Sequence, residues 1–235
     1  GPHQMIEPGR TWTAEWRIDQ PATTTWFHPH PHGRTAMHVY RGLAGLFLID
    51  DPAGPPLPNR YGVDDIPLVI QDKVFDDDGS LALGGVGRGT FGLLGDTVLI
   101  NGTYDPSFQV TTGLVRFRLL NASNTRVYRV GFADGRTFDV VAGDAGALHR
   151  PAAVDRVKIS PGERAEIVVR FTAGERVVLD SRGESAKSAN DPEEDDFALL
   201  QLVAAARLET SAALPATLGG TEVPAVPPGA RVRRF

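Results

Sequence analysis

The chain has 235 residues, 41% of them hydrophobic and 23% charged, an ordinary balance for a soluble globular protein with room for one large domain or two smaller ones. Its 24 basic and 29 acidic residues leave a net charge of −5, which argues against a nucleic-acid partner, and no apolar run approaches membrane-spanning length. Zero cysteines exclude disulfides, thiolate metal sites and cysteine nucleophiles. No charged-then-apolar leader opens the chain at Gly1-Pro2-His3-Gln4, so no signal peptide is visible there.

Short runs rich in Val, Ile, Leu, Phe and Thr follow one another between Gly and Pro, and several alternate apolar with polar residues. That pattern predicts half-buried antiparallel strands and an all-β sandwich, with no amphipathic segment of helix length in competition. In chain order the predicted strands begin with Thr11 to Ile18, Thr23 to His28 and Gly45 to Asp50. Residues 1–52 are too few for a whole sandwich and read as the last strands of one. Residues 53–63, rich in proline, form a stiff linker. A full domain over residues 64–207 starts with Ile66 to Gln71. It continues through Leu114 to Leu120, Val127 to Val130, Thr137 to Val141, Ile167 to Phe171 and Phe197 to Leu202. Turn signals such as Asp134-Gly135, Pro161-Gly162 and Ala173-Gly174 separate them. Residues 208–235 carry Pro, Gly and Ala with little pattern and read as a second linker.

The stretch that carries chemistry is Trp26-Phe27-His28-Pro29-His30-Pro31-His32-Gly33, with three of the six histidines at alternate positions. Prolines 29 and 31 exclude a helix, because each fixes its own φ and disfavours the helical conformation in the residue before it. In extended backbone, side chains two residues apart point the same way, so His28, His30 and His32 can aim their imidazoles at one side. Imidazole suits copper, zinc, iron and nickel, and no thiolate competes.

Thr25 to Gly33, followed by Tyr40-Arg41-Gly42-Leu43-Ala44-Gly45-Leu46-Phe47-Leu48-Ile49, closely resembles the multicopper oxidases of the laccase, bilirubin oxidase and bacterial copper-resistance branches. So do Ile66 to Lys73, Val98-Leu99-Ile100-Asn101-Gly102, Arg116 to Ser123 and Val157 to Arg164. The resemblance implies cupredoxin-like Greek-key sandwiches, with the end of the first and all of the second in this chain. It implies that His28 and His30 bind the type 3 copper pair of a trinuclear cluster, one histidine to each copper, with His32 outside the direct ligands. It implies no catalytic residue beyond the metal ligands and no organic cofactor.

In the family, four His-X-His motifs build that cluster, and one is a His-Cys-His joined to a type 1 copper. With no cysteine the type 1 site is absent from this chain, and the chain alone is expected to be inactive. The implied partners are dioxygen and an unknown reducing substrate, and the implied location is periplasmic or secreted. Association with further domains or subunits is expected, since a partial sandwich exposes apolar surface. The alternative is a non-enzymatic cupredoxin-like protein that binds copper or is purely structural. A zinc hydrolase would need a third ligand that no spacing offers.

Remaining features read as structural. His3 lies at the terminus, His38 and His149 are solitary, and Gly84 to Gly89 is a loop without phosphate-loop spacing. Glu193-Glu194-Asp195-Asp196 reads as a solvated turn, and Trp12, Trp16 and Trp26 as core of the first sandwich.

Overall fold

Alternation in the sequence sorts each strand into an inward and an outward face, and two sheets meet across the inward ones. The computed structural model describes residues 5–84, 92–183, 195–222 and 224–231. A two-stranded ribbon pairs β1 (Thr23–Phe27) with β2 (Gly45–Ile49), and the helix α1 (Thr35–Tyr40) lies between them in sequence.

The larger sheet has seven strands. Its members in chain order are β3 (Asp65–Lys73), β4 (Thr97–Ile100), β5 (Thr103–Tyr104), β7 (Leu114–Asn121), β9 (Phe138–Gly143), β10 (Gly146–Val154) and β12 (Arg164–Arg170), and their spatial order is β10-β9-β12-β7-β3-β4-β5. The smaller sheet has the spatial order β11-β8-β13-β14-β6. It is built from β6 (Ser107–Thr112), β8 (Tyr128–Phe132), β11 (Arg156–Ile159), β13 (Arg176–Ser181) and β14 (Phe197–Glu209). Pairing is antiparallel except where β3 meets β7 and where β14 meets β6.

The core between the sheets takes Ile66, Leu68 and Ile70 from β3, Val115, Phe117 and Leu119 from β7, and Ala165, Ile167 and Val169 from β12. Facing them are Tyr128, Val130, Phe132, Leu179, Leu200 and Leu202. Phe117 meets Phe171 edge-on at 6.4 Å, and Phe132 meets Phe138 likewise at 5.6 Å, the tilted geometry that aromatic quadrupoles favour.

The expectation of half-buried strands fails at the centre of the larger sheet. β7 is buried at all eight positions. Its outward side chains, which include Leu114, Arg116 and Arg118, are covered as well. Leu57 of the proline-rich segment, with Leu214 and Leu218 from beyond β14, closes over Leu114, Val141 and Val168, and the β1–β2 ribbon, with Asp50 just past it, covers Arg118.

Three further expectations are corrected. Thr11 to Ile18 forms no strand and is exposed throughout. Trp12 and Trp16 are 50% and 66% exposed and fill no core, because a two-stranded ribbon has no second layer to enclose them; Trp16 only tilts against Phe47 at 6.2 Å. Asp195 and Asp196 are not merely solvated. Asp195 pairs with the buried Arg126 at 2.9 Å, and Asp196 accepts the Gly183 amide at 2.8 Å. His3, Gly85 to Gly89, Glu193 and Glu194 lie outside the described residues.

Candidate metal centre

Alternate residues of β1 face the outer side of the seven-stranded sheet, and they position the histidines that follow. Thr24 comes first. Its hydroxyl donates to Glu166 Oε1 at 2.6 Å and accepts from Arg118 Nη1 at 3.0 Å, while Arg164 Nε donates to its carbonyl at 3.1 Å. Two residues on, Trp26 lies against the turn before β12, where a Cβ on Gly162 would stand 3.3 Å from the indole Cζ2. Gly162 also sits at φ +84°, so both the turn and the close approach call for glycine.

Two residues further, the His28 imidazole stacks on Trp26, with ring centroids 4.5 Å apart and planes 30° apart. His28 Nδ1 lies 3.0 Å from the Pro29 carbonyl. A carbonyl only accepts, so in this bond Nδ1 carries the proton and Nε2 keeps its lone pair for a metal. The His30 ring follows at 5.6 Å from His28, tilted by 35°. His28 is half-buried and His30 exposed.

The structure therefore brings His28 and His30 together. His32 is exposed in the turn leading to α1, with no ring contact to the pair among the described residues. His38 is half-buried on α1, its Nδ1 buried without a hydrogen-bond partner, and His149 Nδ1 lies 3.2 Å from the Gly220 carbonyl. Among the described residues no three His, Asp or Glu side chains converge on one metal position. The donor set fits copper in kind, as two neighbouring imidazoles, one with its Nδ1 against a carbonyl, and falls short in number.

Beneath the ribbon lies a buried ionic network that the strand pattern did not reveal. Asp65 is gripped by two guanidinium groups: Arg116 donates from Nε at 3.0 Å and Nη2 at 2.6 Å, and Arg118 from Nε and Nη2 at 2.8 Å each. Arg118 also reaches Asp50, just past β2, at 2.9 Å, and Glu166 at 3.4 Å. Burial alone would raise the Asp65 pKa, but the hydrogen bonds from Arg118 and Arg116 outweigh it and hold the carboxyl below its usual range. In the cavity of about 240 Å³ between this network and the proline-rich segment, Arg116, Arg118, Asp50 and Glu166 are paired with one another, and Asp51 accepts the Ala53 amide. The signal in the sequence was Arg116 and Arg118, two charges at alternate positions of an otherwise apolar run.

The helix α1 was not expected either. It docks on the end of β3: Gln71 Nε2 donates to the Val39 carbonyl at 3.2 Å, and Asn124 Nδ2 to the Ala36 carbonyl at 2.9 Å. The Tyr40 hydroxyl both donates to the Val74 carbonyl and accepts its amide. Lys73 Nζ donates to the Tyr40 carbonyl and lies 4.8 Å from the Tyr40 ring centroid. Burial pushes the Lys73 ammonium down to about 8, with the Asp72 carboxylate opposing the shift.

Two family models match this chain, each described as multicopper oxidase, over residues 1–54 and 76–190. The chain belongs to the multicopper oxidase family. Its cupredoxin-like fold superposes on the laccase-like multicopper oxidase CueO from Ochrobactrum sp. with a TM-score of 0.82 at 36% identity, covering 96% of this chain and 50% of that one. The laccase from Pediococcus acidilactici Pa5930 gives a TM-score of 0.81 at 32% identity, covering 97% and 48%. In sequence, the chain is 46% identical over 188 residues to cell division protein FtsP of Sodalis glossinidius, which is 79% of this chain and 39% of that relative. The chain thus spans well under half the length of a curated relative it matches. No helix among its described residues is long and apolar enough to cross a membrane.

Proposed function

We propose that this chain is part of a multicopper oxidase that couples one-electron oxidation of a reducing substrate to the reduction of dioxygen to water, and that His28 and His30 supply ligands to its type 3 copper pair. The observation that carries this reading is the adjacency of the two imidazoles, 5.6 Å apart, with Nε2 of His28 left free by the bond at Nδ1. Bound copper would supply the redox chemistry with dioxygen. The chain's own part is to hold two imidazoles on the proline-stiffened segment that follows β1 and to anchor that strand through Thr24 and Trp26. The remaining ligands and the type 1 site, which needs a cysteine, would come from elsewhere in a longer protein, exported as members of the family are.

A second reading has its own support. The relative at 46% identity is named a cell division protein, which favours a non-enzymatic role for the same fold, with or without copper. The whole encoded protein, loaded with copper, separates the two. The oxidase reading expects the intense blue absorption of type 1 copper and oxygen uptake with a phenolic donor. It also expects Cu bound per chain to fall, and oxygen uptake to be lost, in the His28→Ala/His30→Ala double variant. A copper-loaded whole protein with neither blue band nor oxygen uptake overturns the oxidase reading in favour of the second.

A further inference from the structure

Trp26 occupies a place that neither core packing nor the ligand set accounts for. Its indole lies between two things that do not touch each other in the sequence: the turn at Pro161-Gly162 and the imidazole of His28. The turn belongs to the sandwich and is fixed by it. The Gly162 amide donates to the Asn121 carbonyl at 2.8 Å, the Glu163 amide to the Ser160 carbonyl at 2.9 Å, and Asn121 itself is fully buried at the end of β7. The imidazole belongs to the strand that leaves the sandwich. The indole is the only aromatic surface that meets the His28 ring other than His30, among the described residues.

An imidazole on an extended strand turns about two side-chain torsions, and the second is broad. Two contacts remove that freedom at His28. The bond from Nδ1 to the Pro29 carbonyl sets which ring edge faces the backbone, and the indole face sets the plane of the ring. A ring flip would exchange Nδ1 for a carbon at the carbonyl and would have to swing the ring edge through the indole face on the way. Groups just behind metal-binding histidines commonly act in this way, by holding ring orientation and tautomer.

We propose that Trp26 is a positioning residue: wedged against the Gly162 turn, it fixes the plane and the Nδ1–H tautomer of His28 and so transmits the rigidity of the sandwich to the copper-binding strand. The proposal rests on the reading of His28 as a copper ligand, and its first readout does not need copper.

The test compares the wild-type chain with Trp26→Phe, which keeps a flat aromatic face, and Trp26→Leu, which keeps apolar volume against Gly162 without one. Nitrogen-15 imidazole shifts, recorded near pH 8 where free histidines are neutral, report the tautomer of each ring. His28 is expected to be held as Nδ1–H in the wild type and in Trp26→Phe, and to average between tautomers in Trp26→Leu. Titration with Cu(II) alone is expected to weaken about tenfold in Trp26→Leu and to stay within about threefold in Trp26→Phe. An averaged His28 in the wild type overturns the proposal without any variant. So does a Trp26→Leu protein that keeps the tautomer and the copper affinity, or a Trp26→Phe protein that loses as much as Trp26→Leu. If the wild type takes up no Cu(II), the ligand reading fails, and the tautomer comparison decides the role of Trp26 by itself.

Discussion

The ribbon and the sandwich are held together by opposite means. The sandwich encloses its own core, with Phe117, Leu119, Ile167 and Phe132 wholly buried between two sheets. Among the described residues the β1–β2 ribbon pairs with no second sheet of its own, and its outward aromatics Phe27 and Phe47 are 61% and 38% exposed. What fixes the ribbon is mostly polar: Thr24 on Glu166, Asp50 on Arg118, and the main chain of α1 on Gln71 and Asn124, with Trp26 against Gly162 as the apolar contact. The candidate metal centre rides on a ribbon that, among the described residues, is held by contacts to the sandwich. Its geometry is on loan from the sandwich.

This contrast can be broken at three depths. Phe117→Ala removes a ring from the centre of the sandwich and should cost about 4 kcal/mol. Because the described contacts of the ribbon run to the sandwich, its amides should lose hydrogen-exchange protection together with those of β7. Survival of ribbon protection in that variant would show the ribbon to be an independent unit.

Arg118→Met cuts the link beneath the ribbon and leaves Asp65 with Arg116 alone, for an expected loss of about 3 kcal/mol. Here the two regions should part company: β1 and β2 exchange quickly while β7 and β12 stay protected. Uniform loss of protection would mean that the network serves the sandwich itself.

The smallest effect is at Lys73. Its folded pKa, about 8, is below its ordinary 10.5, so the folded chain sheds this proton first. The unfolded chain binds more protons between those values, and stability must rise with pH across that window. Relative to Lys73→Met, the wild type should gain about 1 kcal/mol between pH 7 and pH 9 in urea titrations. A difference that stays constant or shrinks with pH would remove burial as the dominant influence on this amine.

The sandwich was largely readable because its inward faces obey a period of two, and runs such as Ile167 to Phe171 announce themselves. The imidazole pair was readable because prolines at 29 and 31 leave an extended backbone as the only way to present it. The outer face of the larger sheet was not. Arg116 and Arg118 look like solvent-facing residues of a half-buried strand until the segments that cover them are in place, and those segments are distant in sequence, as Asp50 is from Arg118. Thr11 to Ile18 fails for the converse reason. Its alternation is real, but a strand needs a neighbour to pair with, and periodicity does not supply one. Trp26 was legible as an aromatic next to histidines, yet its partner is a glycine more than a hundred residues away, and only the fold brings the two together.

The two parallel pairings carry a consequence for the order of events in folding. β3 and β7 cannot be joined by a hairpin; Asp65 meets Arg116 across 51 positions of chain, and Thr24 reaches Glu166 across 142. Contacts of such long range form late, after the intervening chain has been ordered. The ribbon can dock only once β7 and β12 lie side by side, so the anchoring of the imidazole pair on the sandwich has to wait for that pairing. A metal ion offered to the nascent chain would meet a loose histidine-rich strand, and the same ion offered after folding would meet a formed pair.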